Sequence, residues 1–244
     1  MAPLDPLPDT IVQTRLALHR LATYVIAPIR YRSTERFGLR ATSGGFGTPQ
    51  FGDRRIRVEG IEIIDEQDGN ERRAPISSLS AAADFLGAEV DPDTAAEHDS
   101  PPLGDIAENL NVDLAASDWL GRWFGTAFEA LTLVSGDAAS VHASEPQLWP
   151  GHFDPAIEMG DENHRASYGA SPGDDSIAEP YLYVSVWWPD RLGIGRDETW
   201  NAQPFVGRQL LLRDFAKGIA PIAVAADFWR ETRDFLDRQQ APTT

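Results

Sequence analysis

The sequence contains no cysteine and no long apolar run, although 42% of its 244 residues are hydrophobic. Without cysteine the chain can form no disulfide, no thiolate metal site, no iron–sulfur cluster and no cysteine nucleophile. No segment approaches the roughly 18–20 consecutive apolar residues of a membrane-spanning helix. The first ten residues, MAPLDPLPDT, lack the basic and apolar regions of a signal peptide. We therefore expect no membrane partner and a cytoplasmic location.

Basic residues are also scarce. The chain has 38 acids against 21 bases, a net charge of −17, and a single lysine, Lys217. Such a charge repels phosphates, so no nucleic-acid partner is expected. Acidic residues are concentrated in the segment 84–113, and no lysine or arginine occurs between Arg73 and Arg122. This segment is either a solvated face that offsets the preceding arginine-rich segment or an interaction module for a basic partner. In the second case, charge reversal of Asp91, Asp93 and Asp99 should abolish binding.

Apolar periodicity predicts helices at Thr10–Ile26, Asp113–Val134 and Ile222–Arg238. A shorter helix, capped by Ser77 or Ser78, is expected to end at Gly87. The first helix is expected to end before Pro28.

Alternating or β-branched runs predict strands, with a register change near Gly60 in the second of them. They are Phe37–Thr42, Arg55–Asp65, Glu71–Ile76, His152–Met159, Tyr181–Trp188 and Gln209–Phe215. Helices and strands do not alternate regularly, which favours an α+β fold in which N-terminal, central and C-terminal helices pack on an antiparallel sheet. We predict one domain over residues 1–244, disordered tails at 1–9 and 239–244, and an acidic mobile loop at 91–105.

Two enzyme motifs are excluded on physical grounds. The glycine-rich segment Ser43–Gly52 precedes a strand pattern and lacks Gly-Lys-Ser/Thr, so it does not predict a phosphate loop. Gly169–Gly173 spells G-x-S-x-G, but Pro172 has no N–H for an oxyanion hole and no histidine follows His164. Ser171 is therefore not predicted to be a hydrolase nucleophile.

A metal site is one hypothesis for the residues around His152. In a strand, His152, Asp154 and Glu158 would share one face, and His164 follows after a turn. His152, Asp154 and His164 would suit zinc or iron, with Glu158 or Asp174 as general base of a hydrolase or isomerase. In the alternative, His152 and Asp154 bond to the backbone and hold the loop in place.

Three segments resemble an uncharacterised family of bacterial proteins, a domain of unknown function. The signature is LWPxHFD, YGASPGD and EPYxYV, present here at Leu148–Asp154, Tyr168–Asp174 and Glu179–Val184. The resemblance also takes in GLRATSGGFGTPQFG and Trp200–Asn201, so it covers most of the chain. It implies no activity and assigns no catalytic residue.

The leading interpretation is a small-molecule-binding protein whose pocket is built from residues 149–187. Alternation places Tyr181, Tyr183, Ser185 and Trp187 on one strand face, and an apolar surface with a few polar groups is typical of such pockets. The candidate ligand-binding residues are Trp149, His152, Asp154, Tyr168, Ser171, Asp174, Tyr181 and Tyr183. In the alternative, these aromatic residues are structural.

Overall fold

The computed structural model of the chain describes residues 4–96, 98 and 100–239. Its α-helices are α1 (Ile11–Leu21), α2 (Ala27–Thr34), α3 (Leu79–Leu86), α4 (Pro92–Ala96), α5 (Leu114–Ser135) and α6 (Pro221–Leu236). Its strands are β1 (Arg40–Thr42), β2 (Gly45–Gly47), β3 (Arg54–Glu59), β4 (Glu62–Gln67), β5 (Asn70–Pro75), β6 (Gln147–Trp149), β7 (Asp154–Met159), β8 (Ala166–Ser171), β9 (Tyr181–Val186) and β10 (Gly207–Leu211). The fold is α+β, as predicted.

The chain divides into two compact units. Among the described residues, unit 2 comprises Leu4–Gly125 and Gln147–Asp154, and unit 1 comprises Thr126–Pro146 and residues 155–239. The chain passes from one unit to the other within α5, after Pro146 and at the first residue of β7. Both units are built from discontinuous segments, and the single domain over residues 1–244 stays a prediction.

Unit 2 contains an antiparallel sheet in the order β1-β2-β3-β4-β5. The predicted single strand at Arg55–Asp65 is a hairpin, because Gly60 takes a φ of +57° and reverses the chain between β3 and β4. The glycine-rich segment contains β2, which pairs with β1 and β3. The chain turns again between β4 and β5, with positive φ at Asp68 and Gly69.

The first helical segment of unit 2 extends beyond the predicted end. α1 continues through a π-helical turn at Ala22–Ile26 into α2, and the helix ends at Thr34. Pro28 lies in the first turn of α2, next to the π-turn, where its missing N–H interrupts little of the hydrogen-bond ladder.

Residues 4–9 were predicted to be disordered, but the backbone oxygen of Asp5 accepts a hydrogen bond from Trp119 Nε1, and its carboxylate pairs with Arg122. In the predicted C-terminal tail, Gln239 Nε2 donates a hydrogen bond to the backbone oxygen of Phe235 at 3.1 Å. Residues 240–244 lie outside the described residues.

Unit 1 contains antiparallel strands in the order β10-β9-β8-β7, with α6 near them. One sheet face is buried and apolar, and it includes Ile157, Leu182 and Val184. α6 contacts the sheet through Trp229, whose Nε1 donates to Tyr183 O at 3.2 Å. Strand β8 was not predicted, because its small residues carry little apolar alternation. No helix in the described part of the chain is long and apolar enough to cross a membrane.

Candidate functional site

Residues 149–154 form a folded turn in unit 2. The backbone N–H of Phe153 donates to Trp149 O at 2.7 Å. From the first helical segment, Thr23 Oγ1 donates to Pro150 O at 2.7 Å, and His19 Nε2 lies 2.9 Å from Gly151 O. The turn is therefore fixed to the helix by side chains that are more than a hundred residues away in sequence.

His19 is the histidine that holds this turn. Its ring stacks on Phe153 with centroids 5.3 Å apart and planes 8° from parallel. Burial lowers the pKa of His19 to about 4, so the ring is neutral near pH 7 and its Nε2–H donates to the carbonyl oxygen. No motif marks His19 in the sequence; its one signal is that Arg15, His19 and Thr23 recur every four residues and form a polar stripe on the helix.

Phe153 explains why the predicted strand face is wrong. It has a φ of +55° and is completely buried, and its ring meets those of Phe46 and Phe124 edge-on, each with centroids 5.1 Å apart. This left-handed residue breaks the alternation, so β7 begins only at Asp154. His152 is exposed in the turn, whereas Asp154 is 4% exposed. His152 therefore lies outside the strand, and the predicted face of His152, Asp154 and Glu158 does not form.

The histidine chosen as the third metal ligand has both ring nitrogens engaged. His164 Nδ1 lies 3.0 Å from Asp161 Oδ1, and its Nε2 lies 3.1 Å from Gln239 O. Burial alone would lower the pKa of His164, but the Gln239 carbonyl and the Asp161 carboxylate outweigh it and raise this pKa. Because both ring nitrogens are bonded to protein atoms, His164 has no free nitrogen for a metal ion. Among the described residues no group of three or more histidines and carboxylates is placed to hold a metal, so the geometry does not support the metal hypothesis.

A polar and aromatic sheet face in unit 1 combines residues of β8 and β9. The register pairs Ser167 with Ser185 and Gly169 with Tyr183. The predicted alternation in β9 is therefore found, and Tyr181, Tyr183 and Ser185 lie on one face. We call the face formed by Ser167, Gly169, Ser171, Tyr181, Tyr183, Ser185 and Gln209 the serine–tyrosine face.

Tyr168 lies on the opposite side of the sheet. It pairs with Val184 in the register and is 1% exposed. Burial raises the pKa of its hydroxyl. Tyr168 is therefore a core residue, and the prediction that it lines a pocket together with Tyr181 and Tyr183 is wrong.

Ser171 and Asp174 stabilise the loop that follows β8. Ser171 Oγ accepts the backbone N–H of Gly173 at 3.1 Å, which fixes the G-x-S-x-G turn. Asp174 Oδ1 accepts the N–H of Ile177 at 2.8 Å, and its Oδ2 accepts the hydroxyl of Tyr181 at 2.5 Å. These two residues shape the rim of the serine–tyrosine face.

The tyrosine rings pack closely on this face. A Cβ at Gly169 would lie 2.5 Å from the Tyr183 ring, so glycine is needed there for the ring to cover the backbone. The centroid of the Tyr183 ring also lies 6.2 Å from that of Tyr181 and 5.9 Å from that of Phe205. Tyr183 remains partly exposed, whereas Tyr181 is buried.

One end of the face is open and charged. Trp187 is 40% exposed, and its Nε1 donates to Ser167 Oγ at 2.9 Å. The guanidinium of Arg165 lies 5.4 Å from the Trp187 ring centroid and 3.2 Å from Glu158 Oε2. Such an arginine–tryptophan pair provides a flat surface with a positive charge beside it.

Gln209 contributes a polar atom that no described residue satisfies. It pairs with Tyr183 in the register of β10 and β9. Asn201 fixes its backbone, accepting the N–H of Gln209 at 2.9 Å and donating to its oxygen at 3.3 Å. The side-chain Oε1 of Gln209 is buried and has no hydrogen-bond partner within the described part of the chain. Neither periodicity nor a motif marks this residue in the sequence.

The acidic segment is bound to the first helical segment by arginines. Asp91 caps α4 by accepting the N–H of Thr94 at 2.9 Å, and it pairs with Arg32 at 2.7 Å. Arg20 donates to the backbone oxygens of Leu103 and Asp105. Asp91 therefore has a structural role, while Asp99 lies outside the described residues. Because charge reversal at Asp91 would disturb the fold, it would not test the interaction-module hypothesis cleanly.

A pocket of about 350 Å³ in unit 2 is lined in part by Glu59, Glu62, Leu114 and Asp118. Its carboxylates are partly neutralised, because Arg73 Nη1 lies 3.5 Å from Glu59 and 3.2 Å from Glu62. It adds an acidic surface but no buried polar group that lacks a partner.

Comparison with known proteins yields one partial similarity. No protein-family model matches the chain, and no solved structure matches it. The chain is 26% identical over 186 residues to the leucine–tRNA ligase of Rhodococcus jostii (strain RHA1), a match that covers 67% of this chain and 19% of that protein. The chain thus spans about a fifth of the length of this curated relative. The resemblance to the uncharacterised bacterial family stays a prediction.

Proposed function

We propose that the chain is a cytoplasmic protein that binds a small polar molecule on the serine–tyrosine face of unit 1. The observation that carries the proposal is the buried Oε1 of Gln209, which has no donor among the described residues. A buried polar group without a partner costs about 1–3 kcal/mol. A ligand N–H or O–H directed at this oxygen would remove that cost, so the geometry favours a ligand with a donor.

The surroundings of Gln209 suit a ligand with a flat body. The partly exposed ring of Tyr183 lies opposite Gln209 on the neighbouring strand, and Trp187 with Arg165 stands at the open end of the face. Aromatic surface supplies apolar contact, and the serine hydroxyls and the guanidinium supply orientation. No residue of this face is assigned a catalytic role.

The name of the partial relative guides the choice of compounds for a first screen. Its name concerns leucine and tRNA, and leucine carries both an ammonium donor and a carboxylate. The net charge of −17 disfavours binding to tRNA phosphates. Free amino acids, nucleosides and related metabolites therefore form the first set of compounds.

The test is a thermal-shift screen followed by calorimetry on Gln209→Leu, with Gln67→Leu as the matched control. Gln67 is an exposed glutamine at the end of β4. We expect a ligand that stabilises the wild type, roughly tenfold weaker binding in Gln209→Leu, and unchanged binding in the control. Equal affinity of both variants for every compound found would contradict the proposal.

A further variant tests the tyrosine ring opposite Gln209. Tyr183→Phe removes a hydroxyl from the serine–tyrosine face and should weaken the binding of a polar ligand. Full affinity in this variant would show that the Tyr183 hydroxyl makes no hydrogen bond to the ligand.

A further inference from the structure

Unit 2 contains a buried arginine that pairs with no carboxylate of the described residues. Arg30 belongs to α2 and is 8% exposed. Its Nη1 donates to the backbone oxygen of Gly38, while its Nε is buried and has no acceptor among the described residues. No ion pair joins it to a carboxylate in that part of the chain. Burying an unpaired cation costs free energy, and binding an anion would reduce that cost.

The unpaired edge of Arg30 is the one that binds carboxylates elsewhere in this unit. Arg54 donates two hydrogen bonds to the Asp65 carboxylate, from Nε at 2.8 Å and from Nη2 at 3.2 Å. Arg55 binds the Glu66 carboxylate through the same two atoms, at 2.8 and 3.0 Å. Because Nη1 of Arg30 is occupied by a backbone oxygen, its Nε–Nη2 edge is left for an acceptor. This edge matches the two oxygens of a carboxylate or a phosphate.

The surroundings of Arg30 add positive charge and a second polar atom without a partner. Burial and the nearby Arg36 guanidinium lower the pKa of Arg30. His98 stacks on Phe37 with centroids 4.0 Å apart, and its Nε2 is also buried without a partner in the described residues. Both atoms therefore belong to side chains that contact the dipeptide Phe37–Gly38. The chain has 38 acids, so a shortage of carboxylates does not explain why none of the described ones pairs with Arg30.

We propose that Arg30 binds an oxyanion, a carboxylate or phosphate group of a small molecule, through its Nε–Nη2 edge, and that Arg36 increases the attraction. The alternative is that Arg30 serves only to hold the backbone of Gly38. The site lies in unit 2 and does not depend on the serine–tyrosine face, so either proposal can fail without the other.

The first experiment follows the Nε–H resonances of ¹⁵N-labelled arginine during titration with inorganic phosphate and, separately, acetate. Ionic strength is held constant with sodium chloride, and the Arg30 signal is assigned by its loss in Arg30→Lys. We expect this signal to shift and saturate while that of Arg54, which already holds Asp65, stays in place. A larger response to phosphate indicates a phosphate-bearing ligand, and a larger response to acetate indicates a carboxylate. No shift with either anion overturns the proposal.

The second experiment compares Arg30→Lys with Arg40→Lys, an exposed arginine in β1. Lysine keeps the charge but loses the planar fork. We expect the anion-dependent rise in the unfolding temperature to require roughly tenfold more anion in Arg30→Lys, and to be unchanged in Arg40→Lys. An undiminished rise in Arg30→Lys refutes the proposal. If that variant does not fold, the signal that is absent from ¹⁵N-arginine-labelled Arg30→Gln assigns the resonance, and the wild-type titration decides.

Discussion

Buried polar residues in unit 2 differ in how their burial is compensated. Asp65 is 1% exposed and lies between the guanidinium groups of Arg54 and Arg72. His19 is neutral and donates to a carbonyl oxygen, so its burial requires no counter-ion. Arg30 has no carboxylate partner among the described residues and no neutral form near pH 7. This contrast is why the oxyanion site is assigned to Arg30 and not to the other two residues.

His19 should make the protein sensitive to mild acid. Its pKa falls from 6.5 in the unfolded chain to about 4 in the folded protein. Between these pH values the unfolded chain takes up a proton that the folded protein does not, so stability decreases as the pH falls. The contribution of His19 is intact above pH 6.5, and about 3 kcal/mol is lost once the pH is below 4.

Urea unfolding of the wild type and His19→Gln from pH 7 to pH 4 measures this effect. Glutamine keeps an N–H donor for Gly151 O but does not titrate, so the variant should lose less stability as the pH falls. His152→Ala, which changes an exposed histidine, should follow the wild type. Parallel profiles for wild type and His19→Gln would show that His19 is not the titrating group.

At the scale of elements, positive-φ glycines decide where the strands of unit 2 reverse. Gly60 and Gly69 end β3 and β4 with φ values of +57° and +75°. They differ in their surroundings, because a Cβ at Gly60 would lie 2.8 Å from Leu114 Cδ1 whereas nothing lies within 4 Å of one at Gly69. Alanine substitutions at these two glycines therefore distinguish the cost of backbone strain from the cost of side-chain crowding.

We expect Gly69→Ala to lower the free energy of unfolding by about 1 kcal/mol, the cost of a left-handed alanine. Gly60→Ala should cost more, because Leu114 must also move. The double variant Gly60→Ala/Leu114→Ala, compared with Leu114→Ala alone, should return to the cost of Gly69→Ala. Urea unfolding provides the three differences, and equal losses for the two single glycine variants would contradict the crowding argument.

At the scale of the whole molecule, the surplus of 17 negative charges dominates the electrostatics. Many arginines of β3 to β5 are already paired with carboxylates of the same sheet, as in the contacts of Arg73 with Glu62 at 3.2 Å and Glu71 at 2.6 Å. Exposed ion pairs contribute only about 0–1 kcal/mol each, whereas the unpaired acids repel one another throughout. Salt should therefore stabilise the folded protein.

We expect the unfolding temperature to rise when sodium chloride is increased from a few millimolar to about 0.15 M, where the Debye length is about 8 Å. Glu89→Lys/Asp93→Lys changes two exposed acids and shifts the net charge from −17 to −13, since each reversal adds two charges. This variant should show a smaller rise. A fall in the unfolding temperature with salt would mean that the ion pairs outweigh the repulsion.

Local signals in the sequence predicted many of the elements. Ser78 caps α3 and Gly87 ends it, as expected from a cap residue and a left-handed glycine. The apolar stripes also predicted α5 and α6, with boundaries within two residues of those observed. These features depend on residues a few positions apart, so periodicity and capping chemistry are sufficient to find them.

The sequence by itself thus determined the α+β class, the long helices and the alternation of tyrosine and serine in β9. Only the tertiary structure decided which polar groups are buried and what they meet. His19 and Gly151 are 132 residues apart, Tyr168 is turned into the core by the register of β8, and the unpaired atoms of Gln209 and Arg30 are apparent only when every neighbour is in place. Local patterns carry no record of such contacts, because burial and hydrogen-bond satisfaction depend on segments that folding brings together.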